Sequence, residues 1–147
     1  MTASADRFTA EEVDELEIDG QLVHSVITLD LAHTTTVSVT RRLTSPHRTQ
    51  GVVLDSSDRL LVGGVSSTRL VLWSDTAPEY VEVEALPGRL SVWNVWRDEI
   101  DQAWIGWSGI RLIPVDEAGL ILRCSDGHPP GDTVDIELAL GFDPPLG

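Results

Sequence analysis

Residues 134–142 read VDIELALGF, with Val134, Ile136, Leu138, Leu140 and Phe142 separated one by one by Asp135, Glu137, Ala139 and Gly141. Successive side chains of an extended chain point to opposite faces, so this alternation describes a strand with one apolar and one polar or small face. A helix would scatter the same apolar residues around its circumference. The stretch at 36–43 repeats the pattern: Val37, Val39 and Leu43 share a face with Arg41, opposite Thr36, Ser38, Thr40 and Arg42.

Outward from these two strands, further apolar runs occur at 22–30, 51–54, 60–63, 68–73, 80–86, 90–96, 104–113 and 120–124. Turn formers separate most of them, at Asp55 to Asp58, Asp75 to Pro78, Pro87-Gly88, Glu117 to Gly119 and Asp126 to Asp132. No helical stripe follows residue 20, so the crossover helices of a parallel sheet are missing. The expected fold is all-β, an antiparallel β-sandwich of roughly eight to ten strands in one domain spanning residues 1–147.

The N-terminal segment has two readings. Thr9 with Glu12 makes a capping box, and Glu11, Glu12 and Asp14 suit a helix N-terminus. Asp19-Gly20 between LEI and QLV is a two-residue hairpin signal. Together they predict an acidic arm or short helix over residues 1–14, followed by strand, turn and strand.

The chain of 147 residues carries ten Arg, no Lys and 24 Asp plus Glu, for a net charge of −14. Residues 1–30 hold eight acids against one Arg, so a fifth of the chain carries half of the charge. Nucleic acid is excluded as a partner by the lack of clustered cations. No apolar run reaches the 18 or so residues of a membrane span, and the start MTASADRFTAEEVDE lacks the basic and apolar regions of a secretory signal. A cytoplasmic protein is expected.

A catalytic reading needs a nucleophile with its base, paired carboxylates or metal ligands held together. Cys124, Asp126 and His128 have the right types, but Cys124 alternates with Leu120 and Leu122 and reads as a small core residue. His24, His33 and His47 stand at no zinc spacing, and Asp55 to Asp58 lacks the Gly and terminal Glu of a calcium loop. Arg41 and Arg42 are adjacent on one strand and point apart, which argues against a shared anion clamp. No enzyme activity, metal or cofactor is expected.

Four of the five tryptophans, Trp93, Trp96, Trp104 and Trp107, fall within fifteen residues. Along 103–110, Trp107 shares a face with Ala103 and Ile105, whereas Trp104 shares one with Gly106 and Ser108, so Trp107 is the core residue and Trp104 the exposed one. An indole standing on small residues offers a stacking surface, and Arg97, Asp98 and Asp101 beside it supply oriented polar groups. The plainer reading places all four indoles in the core. The sequence favours a non-enzymatic β domain binding a protein or small ligand through Trp104, Arg97, Asp98 and Asp101, with self-association as another way to cover the indole. The alternative is an acidic inhibitor or immunity-type protein that covers a basic partner.

Overall fold

The computed structural model describes residues 15–18, 21–24, 26–44, 49–97, 101–102, 107–127 and 134–146. They form twelve strands: β1 (Glu15–Ile18), β2 (Gln21–His24), β3 (Ile27–Leu31), β4 (Thr35–Thr44), β5 (Thr49–Val62), β6 (Val65–Trp73), β7 (Tyr80–Ala85), β8 (Gly88–Arg97), β9 (Asp101–Gln102), β10 (Trp107–Asp116), β11 (Gly119–Gly127) and β12 (Ile136–Asp143). No helix occurs among the described residues. The expected arm or helix over 1–14 lies outside them. In the predicted hairpin, β1 and β2 pair with Ile18 opposite Gln21, leaving 19–20 between them.

All strands are antiparallel and belong to one sheet, in the order β1-β2-β10-β11-β12-β4-β7-β5-β8-β3, with β6 on β5 and β9 on β8. The all-β class is as expected, but the sandwich is corrected: instead of two separate sheets, one sheet curls into a nearly closed, barrel-like form. Two segments make the curl. β2 pairs with β10 through His24 and Ile110, and only three residues later β3 pairs with β8 through Ile27 and Val92, so one length of chain links the two ends of the order. β5 does the same on the far side, pairing with β8 from Thr49 to Ser56 and with β7 at Leu60 and Leu61.

The change of partner within β5 falls on Asp55 to Asp58, which the sequence marks as a turn. The structure instead keeps 49–62 as one strand with a register shift between Asp55 and Leu60. Serine hydroxyls take up backbone donors there: Ser56 Oγ accepts from Asp58 N at 3.0 Å and Ser57 Oγ from Arg89 N at 2.8 Å. These turn-forming residues therefore bend a strand without ending it, as bulges do at barrel corners.

Inside the curl lie Val37 and Val39 of β4, Leu54 and Leu60 of β5, Leu90 and Val92 of β8, Leu122 of β11, and Ile136, Leu138, Leu140 and Phe142 of β12, all buried. Their alternation is the one read from 134–142 and 36–43. Leu43 breaks the pattern, being 48% exposed. Arg41 pairs with Leu138 and Leu43 with Glu137, so Arg42 is an extra residue that turns Leu43 to the outer face. Arg41 keeps its inward place and donates from Nη1 to Ala77 O at 3.3 Å.

Candidate functional site

On the β6-β5-β8 part of the sheet, register fixes two faces. Even-numbered residues of β5 and β8 point into the barrel, and odd-numbered ones, together with Arg69, Val71 and Trp73 of β6, point outward. The pair Trp93 and Trp96 is thereby split. Trp96 is inside and 1% exposed, whereas Trp93 lies on the outer face yet is only 9% exposed.

Trp73 lies on the outer face above Gly51, where a Cβ would stand 2.8 Å from its Cε3. The missing side chain makes room for the indole. The guanidinium of Arg97 stands 4.1 Å from the centroid of that ring. A second stack sits on the same face: the Arg69 guanidinium is 5.2 Å from the Trp93 ring, and its Nε donates to Asp55 Oδ1 at 3.1 Å. Each ring face draws the cation electrostatically, and the planar guanidinium covers apolar area while keeping N–H groups at the rim. Sequence inspection missed Trp73 and Arg69, since their partners are brought in by cross-strand register.

Of the four residues expected to form the binding patch, Arg97 ends β8 in the stack on Trp73. The backbone of Asp101 pairs with Arg97 through β9. Trp104 and Asp98 lie outside the described residues. So does the comparison of Trp104 with Trp107, whose backbone belongs to β10 opposite Gly127.

The barrel interior carries a small polar group. Asn94 Nδ2 donates to Ser125 O at 3.0 Å across the lumen, joining β8 to β11. Beside it, Asp135 N donates to Cys124 O at 2.8 Å, and Gln50 and Trp96 occupy one cross-strand position of the inner wall. Trp96 Nε1 has no hydrogen-bond acceptor among the described residues. Burial of the Cys124 thiol, with the Asp135 carboxylate nearby, pushes its pKa far above the ordinary range. A thiol so held stays protonated and is a poor nucleophile.

Of the histidines, His33 is exposed, the backbone of His24 lies in β2, and His47 is outside the described residues. Among the described residues no group of three or more His, Cys, Asp or Glu is placed to hold a metal ion. No helix of the described residues is long and apolar enough to cross a membrane.

A concavity lies on the outer face of β4, β12 and β11, open and about 350 Å³ in volume. It is lined by the small residues Ser38, Thr40, Ala139, Gly141 and Gly119 together with Ile121, opposite Ala139, and Val115.

No family model, curated protein or solved structure matched this chain.

Proposed function

We propose that this protein is a non-enzymatic, cytoplasmic β domain that binds a protein or small ligand through the outer face of β6, β5 and β8, next to β9. The binding residues are Arg97, Asp98, Asp101 and Trp104, extended by Trp73. The observation that supports it is the Arg97 guanidinium stacked 4.1 Å above the Trp73 ring on an outward face. Such a stack presents a flat apolar surface with directed donors, the combination common at binding hot spots. Asp101 joins the same strand end, its backbone paired with Arg97 through β9.

The test is capture of partners from the native cell by wild type, Trp73→Ala and Arg97→Glu, each checked for folding by thermal melting. A partner retained by wild type and lost by both folded variants supports the reading. Equal retention by all three, or no partner for wild type, removes it.

The second reading, an acidic inhibitor of a basic protein, rests on the net charge of −14. Salt separates the two. Association steered by charge slows steeply from low to physiological ionic strength, whereas stacking changes little.

A further inference from the structure

Three of the ten arginines, far apart in the sequence, meet in one cross-strand row on the outer face of β10, β11, β12 and β4. Arg111 stands directly opposite Arg123, and Arg123 opposite Glu137. Arg42, the extra residue of the bulge in β4, reaches the same carboxylate from the other side. Its Nε lies 3.4 Å from Glu137 Oε2, while Arg123 Nε donates to Oε1 at 2.8 Å. Like charges set opposite each other on two strands repel, and three cations against one carboxylate leave this row at +2. Glu137 is 15% exposed and ties both arginines by their Nε atoms, whereas the arginine side chains stay about half exposed, with their terminal N–H groups beyond the tied atom.

The open concavity of about 350 Å³ begins at the next row. Thr40, Ala139 and Ile121, each two residues along its strand from Arg42, Glu137 and Arg123, line the end beside the arginines, and Ser38 and Asp116 line the other end.

We propose that the arginine row and this concavity together bind a small phosphomonoester, its phosphate on Arg42, Arg123 and Arg111 and its uncharged, hydroxylated body in the concavity.

Charge selects the headgroup. A phosphomonoester carries about −1.5 to −2 at neutral pH and so balances the row, whereas a single carboxylate would leave half of that charge unmatched. Guanidinium forks suit an anion with several acceptor oxygens, and two arginines already fixed by a shared carboxylate lose less freedom on binding. Shape and polarity select the body. The volume falls within the range of small-molecule sites, about 300–1,000 Å³. Ser38, Thr40 and Asp116 offer hydroxyl and carboxylate partners for hydroxyl groups, Ile121 and Val115 offer apolar contact, and Asp116 refuses a negatively charged body. Three cations on a chain of net charge −14 are too few for a nucleic-acid surface. That net charge repels phosphate over long distances, but a Debye length of about 8 Å at physiological salt leaves the local row dominant. Because the concavity is open, the bound molecule keeps water on one side, and a modest Kd of about 0.1 to 1 mM is expected.

The experiment is isothermal titration calorimetry of the full chain at about 0.15 M salt with glucose 6-phosphate, inorganic phosphate and glucose as probes. Wild type is expected to bind glucose 6-phosphate about tenfold or more tightly than inorganic phosphate, and glucose not at all. Arg123→Gln and Arg111→Gln should each weaken both phosphate-bearing probes about tenfold or more. Ala139→Trp, which fills the concavity, should bring glucose 6-phosphate down to the level of inorganic phosphate. Trp73→Ala, on the other face, should alter neither. Circular dichroism of each variant reports folding independently, and the two arginine variants back each other should one fail to fold. No binding of glucose 6-phosphate by wild type, or binding indifferent to the arginine and Ala139 changes, overturns the proposal. Equal binding of glucose 6-phosphate and inorganic phosphate also overturns it, leaving an adventitious anion site only. So does binding lost in Trp73→Ala, which would place the ligand on the Trp73 face.

Discussion

Gly51 is the residue on which the outer Trp73–Arg97 stack depends. A methyl group there would lie 2.8 Å from Trp73 Cε3 and 3.1 Å from Leu72 O, so the indole must leave its place. Gly51→Ala is therefore expected to destabilise by about 1–3 kcal/mol, as overpacking does. Urea unfolding of the variant checks the loss, and an unchanged midpoint would show that the ring moves at no cost.

Cys124 gives a prediction with a definite sign. Its folded pKa is raised above the ordinary thiol value of 9.0, so above that pH the unfolded chain loses a proton that the folded chain keeps. The folded state then binds more protons, and stability falls as pH rises, by up to about 1.4 kcal/mol per pH unit from this group. Comparing wild type with Cys124→Ala at pH 7 and above pH 9 isolates the effect: wild type should lose stability faster. Parallel pH profiles would contradict it.

Among the elements, β6 is an edge, paired only with β5 among the described residues. Its sequence, VSSTRLVLW, has high β propensity and one charge, so an open edge would invite a second strand. Ser67 blunts it locally: its Oγ donates to Arg69 O at 2.7 Å and accepts from Arg69 N at 3.2 Å. At the other end, Trp73 O is taken by Ala77 N at 2.8 Å. Ser67→Val frees the Arg69 groups for intermolecular pairing and should speed aggregation on heating, followed by light scattering, with little change in melting temperature. Unaltered aggregation would mean the hydroxyl guards nothing.

The reading of 60–63 as a strand misses the β5–β6 hairpin, although its signal is local. Val62 pairs with Val65 across Gly63 and Gly64, whose φ values of 55° and 83° only glycine adopts without strain. A Gly-Gly pair between apolar runs is a hairpin signal in its own right. By contrast, DSSD at 55–58 has the composition of a turn yet continues a strand, because the end of the β7–β8 hairpin lies against it: Leu86 N donates to Arg59 O at 3.0 Å.

For the whole molecule, closure depends on contacts between segments far apart in sequence. Asn94 and Ser125 join opposite walls inside the barrel, and removing the amide takes this buried hydrogen bond away. Asn94→Ala should cost about 1–3 kcal/mol, read as a lower urea midpoint with an unchanged slope. A neutral result would show that the walls are held by apolar packing alone.

The strands themselves were written in the sequence, because period-two alternation is a local property: VDIELALGF fixes which of its side chains face the core wherever the strand lies. The hairpin at 19–20 was local as well, and so is the Gly63-Gly64 signal that the reading of 60–63 as strand passed over. Strand order was not, since β12 lies against β4, almost a hundred residues earlier in the chain, and no spacing in either strand records the other. The same holds for the single curled sheet and for the flipped face at Leu43, which needs a partner strand before a bulge can exist. It holds for the two Arg–Trp stacks too. Trp73 and Arg97 meet only because β6 and β8 flank one strand, and tertiary pairing alone puts Gly51 beneath the indole.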